Sequence, residues 1–356
     1  MKKTLALLLC AAMALSCLTG CVGRGGSASS SEGGSSAGSS SSSAASSTSG
    51  STSQPDPAVL PKLMVMSGPT GVGAAKLMAD NEAAAEGEKV LASSTVVADN
   101  EAVKNALING DADIAAVATN MAATLANKTG GALQVLAINT LGVLYILEKN
   151  QPVASMADLA GKTLYATGQG ANPEYILNYL LTHNGVDPAD VDIQWMTAQE
   201  VIAQMTTGES GICMLPVPAA TTVMMKDAGI NQAISLSQEW DKLGGGALAQ
   251  GCIVARTEYV QQNPQAVEAF LAAYADSIAY MSGEDNRADA AALVAQYGIT
   301  ANDKMAANAI DQCNLTFITG QEMKDILVSF YDVMFQADPA SIGGAMPADS
   351  FYYGVE

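Results

Sequence analysis

From residue 60 onward, apolar and polar positions alternate between two periods. Short runs such as Leu63-Met64-Val65-Met66 have the length of a buried strand. Longer segments repeat apolar positions every three or four residues, as helices do. The spacing predicts a strand at 63–66, a helix from about Thr70 to Ala79, and a helix over 100–109 with Val103, Ala106 and Leu107 on one face, stopped by Gly110. Strands follow at 114–117, 135–138 and 143–147, with a short helix at 121–127 between the first two. A second unit repeats the plan. It has a strand at 163–165, a helix from Asn172 to about His183, a strand at 192–195, a helix after Thr197, a strand at 212–215 and a helix over 219–228. Ser155 with Asp158, and Thr197 with Glu200, have the spacing of capping boxes. Asn172 is read as an N-cap before Pro173 at the first helical position. After a strand at 249–254 the chain turns helical: a long helix from Asn263-Pro264, helices near 287–297 and 302–311, and a last one read as capped by Thr319 with Glu322.

Helices alternating with strands over short connections give mostly parallel sheets flanked by helices. About 300 residues exceed what one core usually fills, so two lobes are expected. The repeated plan supports this: Asn109-Gly110-Asp111 before Ile114 matches Thr207-Gly208-Glu209 before Ile212. In open α/β sheets ligands lie beyond the carboxyl ends of strands. Glycine-rich, polar or proline-rich turns stand at four such ends: Ser67-Gly68-Pro69-Thr70-Gly71, Asn120, Gly168-Gln169-Gly170-Ala171-Asn172, and Pro216-Val217-Pro218. The first is the expected centre of the site. A helix start offers backbone N–H groups without internal partners, and Gly71 and Gly73 have no side chains to keep a ligand away. The stretch has neither the Gly-Lys-Ser/Thr ending of a phosphate loop nor the dinucleotide-binding glycine pattern.

The amino-terminal region reads differently. Lys2 and Lys3 precede a short apolar run, Leu5 to Leu15, too short to span a membrane. Leu18-Thr19-Gly20-Cys21 resembles a bacterial lipobox, which implies a signal peptide over 1–20 and lipid on Cys21. Residues 21–57 are mostly Ser, Gly, Ala and Thr, a flexible tether with a span on the order of 30 Å.

The formal charge is −19, and removal of Lys2 and Lys3 with the signal leaves 14 basic residues against 35 acidic, −21. Nucleic acid and anionic lipid surfaces are therefore poor partners. Cys213, Cys252 and Cys313 have no metal-like spacing, one disulfide among them stays open, and His183 is the single histidine. No Ser-His-Asp set, paired-carboxylate signature or cofactor loop is present, so neither cofactor nor metal is expected.

Several segments, in this order, carry a family resemblance. They are Leu107-Ile-Asn-Gly-Asp-Ala-Asp-Ile114, Ser155-Met-Ala-Asp-Leu-Ala-Gly-Lys-Thr163, Leu180-Leu-Thr-His-Asn-Gly-Val-Asp187, Asp190-Val-Asp-Ile193, Leu215-Pro-Val-Pro218 and Asn263-Pro-Gln-Ala-Val-Glu-Ala-Phe270. With them, most of 60–285 resembles a type II periplasmic binding protein of an ABC importer. The matching branch holds receptors for nitrate, sulfonates, taurine and thiamine's pyrimidine precursor. The resemblance implies a two-lobed α/β fold, with lobe 1 over 58–145 and 245–356 and lobe 2 over 146–244. It also implies crossovers near 138–148 and 235–250, and C-terminal helices returning to lobe 1. The implied function is a monomeric lipoprotein on the extracytoplasmic face of the cell membrane, closing on a small solute and delivering it to the permease's transmembrane subunit. A ligand-sensing subunit of a membrane receptor is one alternative. An enzyme like the thiamine-pyrimidine-precursor synthase is another, and that chemistry needs histidine and iron.

Carried onto this chain, the family's ligand loops match Ser67, Gly68, Pro69, Thr70, Gly71, Asn120, Gly168, Gln169, Gly170, Asn172, Pro216 and Pro218. Ser67 and Thr70 would offer hydroxyls and Gln169 a free amide. Tyr145, Tyr165 and Trp195 are candidates to stack on a flat ligand. None of these loops contains Lys or Arg, so the bidentate guanidinium clamp for an oxyanion is missing.

Overall fold

The computed structural model describes residues 59–98, 100–244 and 246–355. The signal peptide, Cys21 and the Ser/Gly-rich tether lie outside them. Eleven strands occur among the described residues: β1 (Lys62–Met66), β2 (Ser93–Val97), β3 (Ile114–Ala118), β4 (Leu133–Thr140), β5 (Leu144–Lys149), β6 (Thr163–Ala166), β7 (Asp192–Trp195), β8 (Gly211–Pro216), β9 (Asn231–Ser235), β10 (Gly251–Arg256) and β11 (Leu315–Ile318). They form two sheets, ordered β11-β4-β10-β3-β1-β2 and β7-β6-β8-β5-β9.

Most strands within a sheet share a direction, and one central strand of each opposes its neighbours. In the first sheet β10 runs antiparallel between β3 and β4, and the edge strand β11 antiparallel to β4; in the second β5 runs antiparallel between β8 and β9. The reversals of β10 and β5 have one cause. The chain leaves the first sheet after β4, enters the second as β5, and returns from β9 to the first as β10. Each crossing inserts a strand head-on beside those already there. Helices cover both faces of each sheet.

Several elements form for the reasons their residues suggest. The capping boxes at Ser155/Asp158 and Thr197/Glu200 are both closed. Pro264 opens the 19-residue helix Pro264–Ser282, which buries Val267, Phe270, Tyr274, Ile278 and Met281 along one stripe. Three expectations fail. The helix at Thr70 is broken in two, Pro69–Val72 and Ala75–Ala83, and Gly73 at the break lies against Ile278 with no room for a side chain. Thr319 stands at its helix start without a side-chain cap. Asn172 is the first helical residue rather than the cap. Strands β2, β9 and β11, all at sheet edges, went unpredicted.

A candidate solute cleft between the two sheets

A cavity of about 1030 Å³ lies between the lobes. Its walls come from the carboxyl ends of strands in both sheets. Met66, Ala118 and Thr140 end β1, β3 and β4, Ala98 follows β2, and Thr167, Thr197 and Pro216 stand at the ends of β6, β7 and β8. Seven hydroxyl side chains line it beside many apolar ones.

Of the residues expected at the site, Ser67, Gly68, Pro69, Thr70, Gly168, Asn172, Pro216 and Pro218 line this cavity. Gly68 has φ +150° and Gly168 φ +95°, and a side chain on Gly168 would also overlap the Pro173 ring, so both turns require glycine. Gly71, Asn120, Gln169 and Gly170 lie outside the lining. Gly71 is bare for another reason: a β-carbon there would overlap the Met66 carbonyl oxygen. The proposed N–H cradle is also spent, because Gly71 and Val72 both donate to the Gly68 carbonyl, at 3.0 and 3.3 Å. Gln169 points to solvent, and the Gly170 N–H donates to the Glu174 carboxylate.

Asn120 and Asn172 belong to a buried polar network behind the cleft. The Asn172 amide donates 2.9 Å to Thr119 Oγ1 and 2.9 Å to the Gln250 carbonyl, and its Oδ1 accepts from the Asn120 N–H at 3.3 Å. Thr119 Oγ1 in turn donates 2.7 Å to the Ala249 carbonyl. Gln250 also accepts from the Val143 N–H through Oε1, which ties together the two segments crossing between sheets. On the other loop, Asn139 donates 3.0 Å to the Thr70 carbonyl and 2.9 Å to the Tyr274 hydroxyl. Burial pushes the Tyr274 phenol well above its usual range, so it remains protonated. One side chain thus holds each ligand loop from behind.

The lining residues that were missed include two groups on and between helices. The helix Ala219–Lys226 places Ala219, Thr222 and Lys226 on the cleft. These positions, three and four apart beyond the Pro216–Pro218 turn, were the available signal. The second group, Ala295, Gly298, Ile299, Thr300, Ala301 and Met305, comes from the elbow between helices Arg287–Gln296 and Asp303–Ala309. Its alanine-rich pattern announces only packing. The expected stacking residues Tyr145, Tyr165 and Trp195 do not line the cavity, and no aromatic ring does among the described residues.

The sequence pattern of the family described as NMT1/THI5 like matches residues 98–288. The chain belongs to the NMT1/THI5-like family. Solved structures agree with this chain in fold across nearly all of its described part. An ABC transporter protein from Parabacteroides distasonis superposes with a TM-score of 0.67 at 22% identity, over 82% of this chain and 98% of that one. The periplasmic aliphatic sulphonate binding protein SsuA from Escherichia coli gives 0.65 at 17%, over 82% and 93%. The periplasmic nitrate-binding protein NrtA from Synechocystis PCC 6803 gives 0.53 at 15%, over 69% and 70%. No curated protein matches the sequence. This NMT1/THI5-like chain therefore has the two-lobed α/β fold of the type II periplasmic binding proteins.

Proposed function

We propose that this chain is the solute receptor of an ABC importer, binding a small molecule between its lobes and delivering it to the permease. The observation that carries this reading is the cleft, built from the carboxyl ends of strands in both sheets and about 1030 Å³ in volume. Ligand sites typically occupy about 300–1,000 Å³, so the space suits an organic solute. Three structural neighbours support it by their names, which describe an ABC transporter and binding proteins for sulphonate and nitrate. Ser67, Thr70, Gly168, Pro216 and Pro218 would touch the solute, with Asn172 supporting them from the network behind.

An enzymatic reading like that of the precursor synthase is less favoured. His183 sits at the exposed end of the helix Asn172–His183, stacked on Tyr179 with its Nδ1 2.9 Å from the Tyr179 carbonyl, and is not part of the cleft lining. Among the described residues no cluster of His, Cys, Asp or Glu could hold a metal ion.

The site of action follows from the lipobox-like Leu18-Thr19-Gly20-Cys21 and the tether. We place the protein on the extracytoplasmic face, anchored through lipid on Cys21. Among the described residues no helix is long and apolar enough to cross a membrane. Cys21→Ala should move the protein from the membrane fraction to the medium, and membrane retention of that variant would remove the anchor.

Native mass spectrometry of the purified full chain, followed by denaturation and weighing of any released solute, tests the receptor reading. A thermal-shift panel of sulfonates, carboxylates, amino acids and pyrimidines complements it. A ligand at about 100 times its Kd stabilises by about 2.7 kcal/mol. A chain that carries nothing and shifts with nothing would not be a receptor for these classes.

A further inference from the structure

Lys226 is the one charged side chain among the described residues that line the cleft. It ends the helix Ala219–Lys226, and Thr222, one turn earlier, lines the same cavity. Residues four apart share a helix face, so an ammonium and a hydroxyl stand in line along that wall.

The charge of Lys226 has no carboxylate partner among the described residues. Its neighbour in sequence, Asp227, is engaged elsewhere: the carboxylate pairs with Lys149 at 2.6 Å and accepts from the Gly229 N–H at 2.8 Å. These bonds hold the Asp227 carboxyl below the usual carboxylate range, so that pair is charged and closed on itself. Several other cations are committed to carboxylates, Arg256 to Asp113 and Glu258, Arg287 to Asp311 and Lys242 to Glu239; of the lysines without such a pair, Lys226 is the one on the cleft. In a chain of net charge −19, an uncompensated cation on the wall of a ligand cavity is a local exception. The remaining walls are hydroxyls, amides and aliphatic side chains such as Met66, Val143, Ile202, Ile299 and Met305.

We infer that the solute is an organic anion and that Lys226 selects it by charge. This rests on the receptor reading above and specifies its substrate class. A negative group on the solute completes the ion pair that the protein leaves open. A cationic group there meets like-charge repulsion, and the aliphatic walls need an organic body rather than a bare inorganic ion. The acid carried by the solute, whether carboxylate, sulfonate or phosphate, shares this chemistry.

The test uses the full chain, unmutated and as Lys226→Gln and Lys226→Glu, titrated calorimetrically with matched probes. These are hexanoate, hexane-1-sulfonate, hexyl phosphate, hexan-1-ol and hexylammonium on one body, benzoate and benzylammonium on another, with nitrate and sulfate as bare ions. Lys226 is exposed and unpaired, so both variants should melt with the unmutated protein. The expected result is that an organic anion binds best and that Lys226→Gln weakens it about tenfold or more. That variant should leave the alcohol unchanged, and Lys226→Glu should turn the preference toward the ammonium. Anion affinity unaltered in Lys226→Gln, or a neutral, cationic or bare inorganic probe binding best to the unmutated chain, overturns the inference and leaves a receptor of another class. If no probe binds, the solute released on denaturation decides: an anion depleted from the Lys226→Gln protein upholds the inference, and a neutral or cationic solute overturns it. No solute from either source removes the receptor reading, and this inference with it.

Discussion

Asn172 shows how a residue can be placed correctly and explained wrongly. Asn before Pro at a helix start has the pattern of a cap. In the structure it lies one position inside the helix, fully engaged with Thr119, Asn120 and Gln250. Asn172→Ala leaves the Gln250 carbonyl and the Thr119 hydroxyl each short of a partner in a buried setting. Each lost partner costs about 1–3 kcal/mol, so the variant should lose about 2–6 kcal/mol in urea unfolding. A loss under about 0.5 kcal/mol would show that the network is not made. Gly71 carries the same lesson. Its sequence context suggested open access for a ligand, whereas the structure presses it against the Met66 carbonyl. Gly71→Ala should therefore lower stability by about 1–3 kcal/mol, read as a fall in the urea midpoint; an unchanged midpoint would return Gly71 to the role of an open approach. Short-range patterns such as Gly after a strand announce that a side chain is excluded. They do not say whether ligand or protein excludes it, because that depends on a contact distant in the fold.

At the scale of elements, what was legible was what is local. The helix Ala198–Thr207 is an example: Thr197 Oγ1 accepts from the Glu200 N–H, and the Glu200 carboxylate accepts from the Thr197 N–H at 2.9 Å and from its hydroxyl at 2.7 Å. Both partners sit within four residues, so the sequence displays the whole interaction. The hydroxyl and backbone bonds hold the Glu200 carboxyl below its usual range. A depressed folded value contributes stability above the unfolded glutamate pKa of about 4.3 and loses it as pH falls through the folded value. Thr197→Ala should cost about 1 kcal/mol at pH 7. The difference from the unmutated chain should narrow as pH falls through about 4.3, where Glu200 is half-protonated in the unfolded chain; a penalty independent of pH would assign the loss to Thr197 alone. The elbow at 298–305 is the opposite case. Its place on the cleft comes from the helix Asp303–Ala309 packing on the helix Ala219–Lys226, and from Thr221 Oγ1 donating 3.2 Å to Gln312 Oε1. These partners are far apart in sequence, and the small side chains that permit the approach have no pattern of their own. The strand Ser93–Val97 escaped for a related reason: Ser93, Ser94 and Thr95 sit on a sheet edge, where no apolar run is needed.

At the scale of the whole molecule, the two lobes are distinct as sheets and continuous as cores. One apolar cluster holds Val117, Val135 and Val254 from the first sheet with Ile146, Leu164 and Met214 from the second. The other holds Val65, Ile114 and Ile253 with Leu147, Cys213 and Leu215. Neighbouring positions on one strand, such as Val254 and Ile253 or Met214 and Cys213, fall in different clusters. Each cluster is therefore one face of both sheets, joined from lobe to lobe. Trp240 sits in such a join, fully buried, with its ring 5.0 Å from Tyr179 of the second lobe and 5.7 Å from Phe330 in the C-terminal helix Gly320–Ala337. Chains of about 300 residues often unfold in parts. Here neither lobe can melt without exposing apolar surface that the other covers, and the second is entered and left through strands of the first. The chain should therefore unfold in one cooperative transition. In scanning calorimetry the measured enthalpy should equal the van't Hoff enthalpy. Trp240 emission, followed in a Trp195→Phe background, should change at the same temperature as the far-ultraviolet circular dichroism. Two resolved transitions, or loss of Trp240 burial ahead of the secondary structure, would mean that the join is weaker than either lobe and that the cores act separately.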